Sequence, residues 1–162
     1  VEFSDFECPQ CRRASTDFEA LRSRFAGQVR FVFKHYPLDT QCNTAVRRSL
    51  HKHACAAADA AICAGEQNRL WSFQKEVFAQ GVEDADLTEA AEAAGLDIAS
   101  WQQCRWTDAA REAVLLDVED GIRLGITKTP SFLVGNRLLA GASGQSELPD
   151  EILRQLAEAP PK

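Results

Sequence analysis

Apolar and polar residues alternate through "VEFSDF" at the start of the chain, the two-residue period of a half-buried strand. A second strand is predicted from Val29 in "VRFVFKHYP", rich in β-branched and aromatic residues and ended by Pro37. Between them Phe18, Leu21 and Phe25 recur at helical spacing, and Gly27 stands where such a helix stops. Strand, helix, strand in this order makes a right-handed parallel crossover.

From about residue 44 to 124 the texture changes to Ala-rich helix, and four or five helices fit. They run through "HACAAADAAICAGEQ", then Leu70, Phe73 and Val77, then "DLTEAAEAAGLD" closed by Gly95. Asp86 with Glu89, and Ser100 with Gln103, have the spacing of helix-starting caps, while Ala110, Val114 and Val118 mark a longer helix ending at Gly125. Trp71, Trp101 and Trp106 on these stripes are expected in the core. The strand pattern returns in "SFLVGNRLLAGA", where Gly135 and Asn136 are expected to supply the positive backbone angles of a two-residue hairpin turn. A last helix carries Leu148, Ile152, Leu153 and Leu156, with Pro149, Asp150 and Glu151 suited to its first turn, before a loose "APPK" tail.

With 162 residues, 45% hydrophobic and 26% charged, the chain has the make-up of a soluble globular domain that can bury a core without covalent help. A net charge of -6 argues against a nucleic-acid or anionic-membrane surface, which draws on clustered Lys and Arg. Arg12, Arg13, Arg47 and Arg48 are expected on solvated helix faces. No apolar run approaches the length of a membrane span. The chain opens on Val1, directly into a strand, so it reads as a trimmed or mature fragment whose targeting segment or anchor lies upstream.

Six cysteines change the picture. Cys8 and Cys11 sit two residues apart, between a strand and an amphipathic helix, and three chemistries compete for them. Zinc needs four converging ligands and usually two close pairs; Cys42, Cys55, His51 and His53 could make the second half, but their spacing matches no common ribbon or finger. A structural disulfide across two intervening residues closes too small a loop to be an efficient staple. The redox reading draws on position. Pro9 suits the first helical turn, so Cys8 would lie at a helix N-terminus, where free N–H groups and the helix dipole favour a thiolate. Cys11, one turn further in, would then be the resolving thiol.

Cys42 and Cys55 flank "NTAVRRSLHKHA" and are predicted to be bonded to each other, which the chain-entropy model values at roughly 3 kcal/mol. Cys63 and Cys104 lie on predicted helices and form a second bond or are small buried hydrophobes. Either bond would place the chain outside the cytoplasm.

"VEFSDFECPQC", "FVFKHYPL", "AAICAGEQNRLW" and "GITKTPSFLVGNRLLAGA", in this order and across nearly the whole chain, resemble the bacterial DsbA-like thiol-disulfide oxidoreductases of the thioredoxin superfamily. The resemblance implies an α/β thioredoxin fold, with residues 1–40 and 125–162 forming a discontinuous core around an all-helical insertion at 41–124. It implies a cis bond between Thr129 and Pro130, in a loop facing the cysteines where Thr129 can pair its backbone with an extended substrate. It also implies a buried acid, Glu2, as proton acceptor for Cys11, with Lys34 the partner to look for. Gln10 departs from the family's strong oxidases, which tend to carry histidine there; a neutral amide can hydrogen-bond the Cys8 sulfur but adds no positive charge.

The function implied is an extracytoplasmic dithiol-disulfide oxidoreductase, periplasmic or anchored facing the periplasm, acting as an oxidase on protein or peptide thiols. Cys8 would be the nucleophile. The chain would be a monomer without cofactor, metal or nucleic acid, reoxidised by a membrane quinone-linked partner of the DsbB or vitamin K epoxide reductase-homologue type, which a fusion upstream of Val1 could supply. A reductase or isomerase running the same exchange, and a non-catalytic peptide-binding or chaperone module, remain as alternatives.

Overall fold

The computed structural model describes residues 1–158, with the side chains of residues 142 and 143 left aside. The "APPK" tail lies outside the described residues. Strand β1 (Glu2–Ser4) leads into α1 (Pro9–Arg24) and returns through β2 (Phe33–His35), which pairs with β1 in parallel. β2 is shorter than its sequence run. The preceding residues leave the sheet to cover α1 instead: Phe31 meets Phe18 edge-on at 5.2 Å, and Val29 joins the same cluster.

Five helices stand between β2 and the hairpin: α2 (Ala54–Glu66), α3 (Leu70–Gln80), α4 (Asp84–Ala93), α5 (Ile98–Cys104) and α6 (Asp108–Arg123). Two of them start one turn earlier than the cap spacing predicts. Asp86 reaches back to accept the Glu83 N–H at 3.2 Å, and Asp97 accepts the Ser100 N–H at 2.8 Å. The chain reverses at Gly81 and Gly95, both at positive φ, and the first polar side chain after each reversal sets the cap region.

β3 (Ser131–Val134) and β4 (Arg137–Ala140) form the hairpin, and α7 (Gly141–Glu158) closes the chain. Gly135 has φ +58°, but Asn136 does not share a positive φ, so one left-handed residue suffices for this turn. α7 begins well ahead of Pro149, which lies inside the helix rather than in its first turn. A helix can carry an internal proline at the cost of one backbone hydrogen bond.

The sheet order is β2-β1-β3-β4, with β3 antiparallel to both neighbours. Phe3 and Tyr36 pack against Val114 and Val118 of α6. Gly121 lets α6 approach closely, because a Cβ there would come within 2.5 Å of the Tyr36 ring. Phe132 and Leu139 pack instead with Phe18 and Leu21 of α1 and with Leu148 and Ile152 of α7.

The helical segment has a core of its own, which runs without a break to the sheet. Ala57, Ala60 and Ala61 of α2, Phe73, Val77 and Trp101 belong to one cluster with Phe6, Cys8, Cys11 and Phe33. Small residues on α2 let its neighbours close in, and Trp101 Nε1 donates to the Ala60 carbonyl at 2.9 Å. Trp106 departs from its expected core place: it is 75% exposed, with the Arg105 guanidinium against its ring. Arg47 and Arg48 are exposed as expected, but on an irregular loop rather than on helix faces.

Candidate active site

Cys8 caps the N-terminus of α1 in an extended conformation, and Pro9 follows as the first helical residue. Proline suits that place because its missing N–H would have no helical partner and its φ is already near the helical value. One turn on, Cys11 points inward and is wholly buried, while Cys8 is 6% exposed. Both are free thiols. The Cys8 N–H donates to the Asp5 carbonyl at 3.1 Å, and the Asp5 N–H donates to Cys11 Sγ at 3.5 Å.

The segment before β3 comes up against the pair from the other end of the chain. The Thr129–Pro130 peptide is cis, and the Cys8 thiol lies 3.6 Å from the Thr129 carbonyl, to which it can donate. The Pro130 carbonyl accepts from Gly141 N–H at 2.7 Å, which ties this loop to the start of α7.

The two thiols are driven apart electrostatically. The Cys11 thiol beside it, with the backbone N–H groups of Cys11 and Gln10, pulls the Cys8 pKa down to about 5 against the opposing effect of burial. Burial, and then the neighbouring Cys8, push the Cys11 thiol far up. The pair thus combines two buried thiols, Cys8 inclined to ionise and Cys11 beneath it inclined to stay protonated. The Gln10 side chain takes no part in this: it is exposed, and its Oε1 accepts from Arg13 Nε at 3.2 Å.

Beneath Cys11 the sheet presents an unusual surface. Glu2 and Ser4 are buried although the alternation of the strand suggests an outward polar face, because β1 is an inner strand covered on both sides. Neither carboxylate oxygen of Glu2 nor the Ser4 hydroxyl has a hydrogen-bond partner among the described residues. Burial pushes the Glu2 carboxyl up to about 7. Lys34 is not its partner. In the register Phe3 faces Lys34 and Glu2 faces Phe33, so Lys34 lies on the opposite sheet face, with Nζ 2.7 Å from both Asp117 and Asp120 of α6. Burial opposes the Lys34 charge, and those two carboxylates overcome it, raising its pKa.

The remaining cysteines form two bonds. Cys42 and Cys55 are joined with an S–S distance of 2.04 Å, and Cys63 of α2 is joined to Cys104 of α5 at 2.02 Å. The first closes a loop that folds back on the β1–α1 turn, which spends Cys42 and Cys55 and removes them from any zinc half-site. Within that loop stand His51 and His53, which the sequence offered only as zinc ligands and not as part of the redox site. His51 Nδ1 lies 2.8 Å from Asp5 Oδ2, and the His53 N–H donates to Glu7 Oε2 at 2.6 Å. They have no periodicity and lie 46 residues from their partners; the one local sign is an acidic residue on either side of Phe6.

Residues 1–153 match the sequence profile of the thioredoxin family. A thioredoxin-like oxidoreductase from Silicibacter pomeroyi DSS-3 superposes with a TM-score of 0.80 at 26% identity, covering 98% of this chain and 86% of that one. The thiol-disulfide exchange protein alpha-DsbA2 from Wolbachia pipientis gives a TM-score of 0.78 at 17% identity, over 96% and 80% of the two chains. The Na(+)/H(+) antiporter NhaA 1 of Mycolicibacterium gilvum is 30% identical over 141 residues, which are 85% of this chain but 21% of the antiporter. The chain therefore spans about a fifth of the length of the curated relatives it matches. By its profile match and its architecture, the chain belongs to the thioredoxin family and is built like that family's DsbA-type thiol-disulfide oxidoreductases.

Proposed function

We propose that the chain is an extracytoplasmic dithiol-disulfide oxidase that passes the Cys8–Cys11 disulfide to protein or peptide thiols. The observation that carries the reading is the unlike placement of the two cysteines, Cys8 at the N-terminus of α1 with its pKa lowered to about 5 and Cys11 wholly buried one turn on with its pKa raised. Stabilising the reduced form makes the disulfide a stronger oxidant. A thiol titrating near 5 rather than 9 favours the reduced state at pH 7 by about 1–3 kcal/mol once solvent screening is allowed for, equivalent to about 20–60 mV.

A substrate thiolate attacks Cys8 Sγ of the oxidised pair, forming a mixed disulfide and expelling Cys11 as a thiolate that must gain a proton. Glu2, buried and titrating near 7, is suited to hold that proton and to take it back when Cys11 attacks in the reverse direction. A second substrate thiolate then displaces Cys8, which leaves as the stabilised thiolate; two electrons have moved from the substrate to the pair. The backbone of Thr129 borders Cys8 and offers an extended substrate a strand-like partner. The two further disulfides support an oxidising compartment. Reoxidation requires an electron acceptor, for which a membrane quinone-linked partner of the DsbB or vitamin K epoxide reductase-homologue type is the candidate.

Mixing the oxidised protein with a reduced, disulfide-requiring protein tests the reading. One disulfide should pass per molecule, Cys8→Ser should transfer none, and Cys11→Ser should accumulate as a mixed disulfide with reagents that load Cys8. Full effect on the client by Cys8→Ser would instead identify a non-catalytic binding module.

A further inference from the structure

Gln10 adds no charge between the cysteines, yet a histidine from another part of the chain is bonded to Asp5, whose backbone touches both of them. His51 Nδ1 meets Asp5 Oδ2 at 2.8 Å, and that oxygen also accepts the Leu38 N–H at 2.6 Å. Asp5 Oδ1 accepts the Glu7 N–H at 2.7 Å. The Asp5 side chain is fully buried, while His51 keeps 20% of its side chain exposed. Asp5 thus has its side chain on the histidine and its backbone on both cysteines, through Cys8 N–H and Cys11 Sγ.

The loop that carries His51 is fastened at several points. The Leu50 and His51 N–H groups donate to the Leu38 carbonyl at 2.9 and 3.3 Å, Ser49 Oγ donates to Asp39 at 2.7 Å, and His53 N–H is held by Glu7. Cys42–Cys55 closes the loop behind them. The imidazole is therefore positioned rather than merely nearby.

We propose that His51, fixed on Asp5, is a positioning residue of the redox centre: its imidazolium holds the Cys8 thiolate in the reduced protein and gives up its proton more readily once Cys8 is bonded to Cys11. This rests on the reading of Cys8 as the nucleophile. Asp5 and Glu7 face His51 from the β1–α1 turn, and Cys8 from the start of α1; Lys52 and His53 flank it on its own loop, His53 with Nε2 3.4 Å from Glu83 ahead of α4. Asp39 lies on the segment after β2, turned to Gln41 and Ser49. The Asp5 contact, against burial and with added attraction from Asp5, Glu7 and Cys8, raises the His51 pKa. Of these groups Cys8 is the one that gains or loses its charge in the redox step.

The balance follows. Two electrons from a substrate dithiol open the Cys8–Cys11 bond; Cys8 leaves as thiolate, Cys11 takes one proton, and His51 takes up a further fraction of a proton where its titrations in the two redox states differ. The dithiol gives up two protons, of which Cys11 keeps one and His51 that fraction, so less than one is released and across that interval the equilibrium with a dithiol changes less steeply with pH than release of one proton alone requires.

The test compares the full chain with His51→Asn, which keeps a donor for Asp5 but no charge, and His51→Lys, which keeps the charge. Thiolate absorbance of the reduced proteins, with the oxidised proteins as baseline, reads Cys8 directly. His51→Asn should lower the thiolate-to-thiol ratio at pH 5 by roughly three- to tenfold, and His51→Lys should restore it. In the unaltered chain, proton NMR should show the His51 pKa falling on oxidation of the pair. An unchanged Cys8 titration in folded His51→Asn, or a His51 pKa indifferent to redox state, overturns the proposal while leaving the oxidase reading intact. A Cys8 that titrates like an ordinary thiol in the unaltered chain would overturn both.

Discussion

The redox pair has two unlike sides, each built around a buried carboxylate. On the loop side, Asp5 accepts from Leu38 and His51 on Oδ2 and from Glu7 on Oδ1, so both of its oxygens are engaged. On the sheet side, Glu2, three residues earlier, has no hydrogen-bond partner for either oxygen among the described residues, and Ser4 beside it has none either. A fully bonded carboxylate fixes geometry. One buried with only the Ser4 hydroxyl and the Val1 ammonium to offset the loss of water has its pKa raised, to about 7 for Glu2, and can exchange a proton near that pH. Under the proposed function, holding Cys8 in place and moving the proton of Cys11 fall to different carboxylates, within one short strand and the turn that follows.

The strongest way to break this contrast is to remove the bonded side. Asp5→Ala strands the donors of Leu38, Glu7 and His51, and should cost about 3–5 kcal/mol of stability by denaturant titration, with the loop between Cys42 and Cys55 losing its anchor. The opposite result is expected on the bare side. Glu2 titrates near 7 when folded and near 4.5 when unfolded, so the folded chain holds the extra proton and stability falls as pH rises between those values. Glu2→Gln removes this loss: at pH 8 it should be more stable than the unaltered chain by about 2–3 kcal/mol, with no gain at pH 4. The same substitution should slow the release of mixed disulfides by Cys11, measured as a lower rate at unchanged affinity. Substituting Gln10 should have the smallest effect. Because its side chain is bonded to Arg13 and not to Cys8, Gln10→Ala should move the Cys8 titration by less than about half a pH unit.

Much of this was legible from local pattern. The strand–helix–strand start, the Gly135 hairpin and the position of Cys8 at a helix N-terminus all follow from periodicity and punctuation that a few adjacent residues carry. The errors come from choices that local pattern cannot make. Cap spacing recurs every turn in an acidic, Ala-rich segment, so Asp86 and Ser100 read as starts although α4 and α5 begin at the turn before. Pro149 reads as a first-turn proline, and the helix it sits in starts at Gly141. Strand adjacency makes Lys34 the partner to look for beside Glu2, with a solvated lysine as the alternative, whereas register decides the face: Lys34 pairs with Phe3 and turns to α6. The His51–Asp5 contact joins an irregular loop to a strand end, and no periodicity announces it.

An oxidase needs Cys8 stabilised as a thiolate strongly enough to make its disulfide an oxidant. Equilibrating the Cys8–Cys11 pair with reduced and oxidised glutathione at pH 7 measures this directly. The predicted potential lies well above that of thioredoxin, about −270 mV, and toward that of DsbA, about −120 mV. A value at or below the thioredoxin potential would contradict the oxidase reading and assign the same site to disulfide reduction.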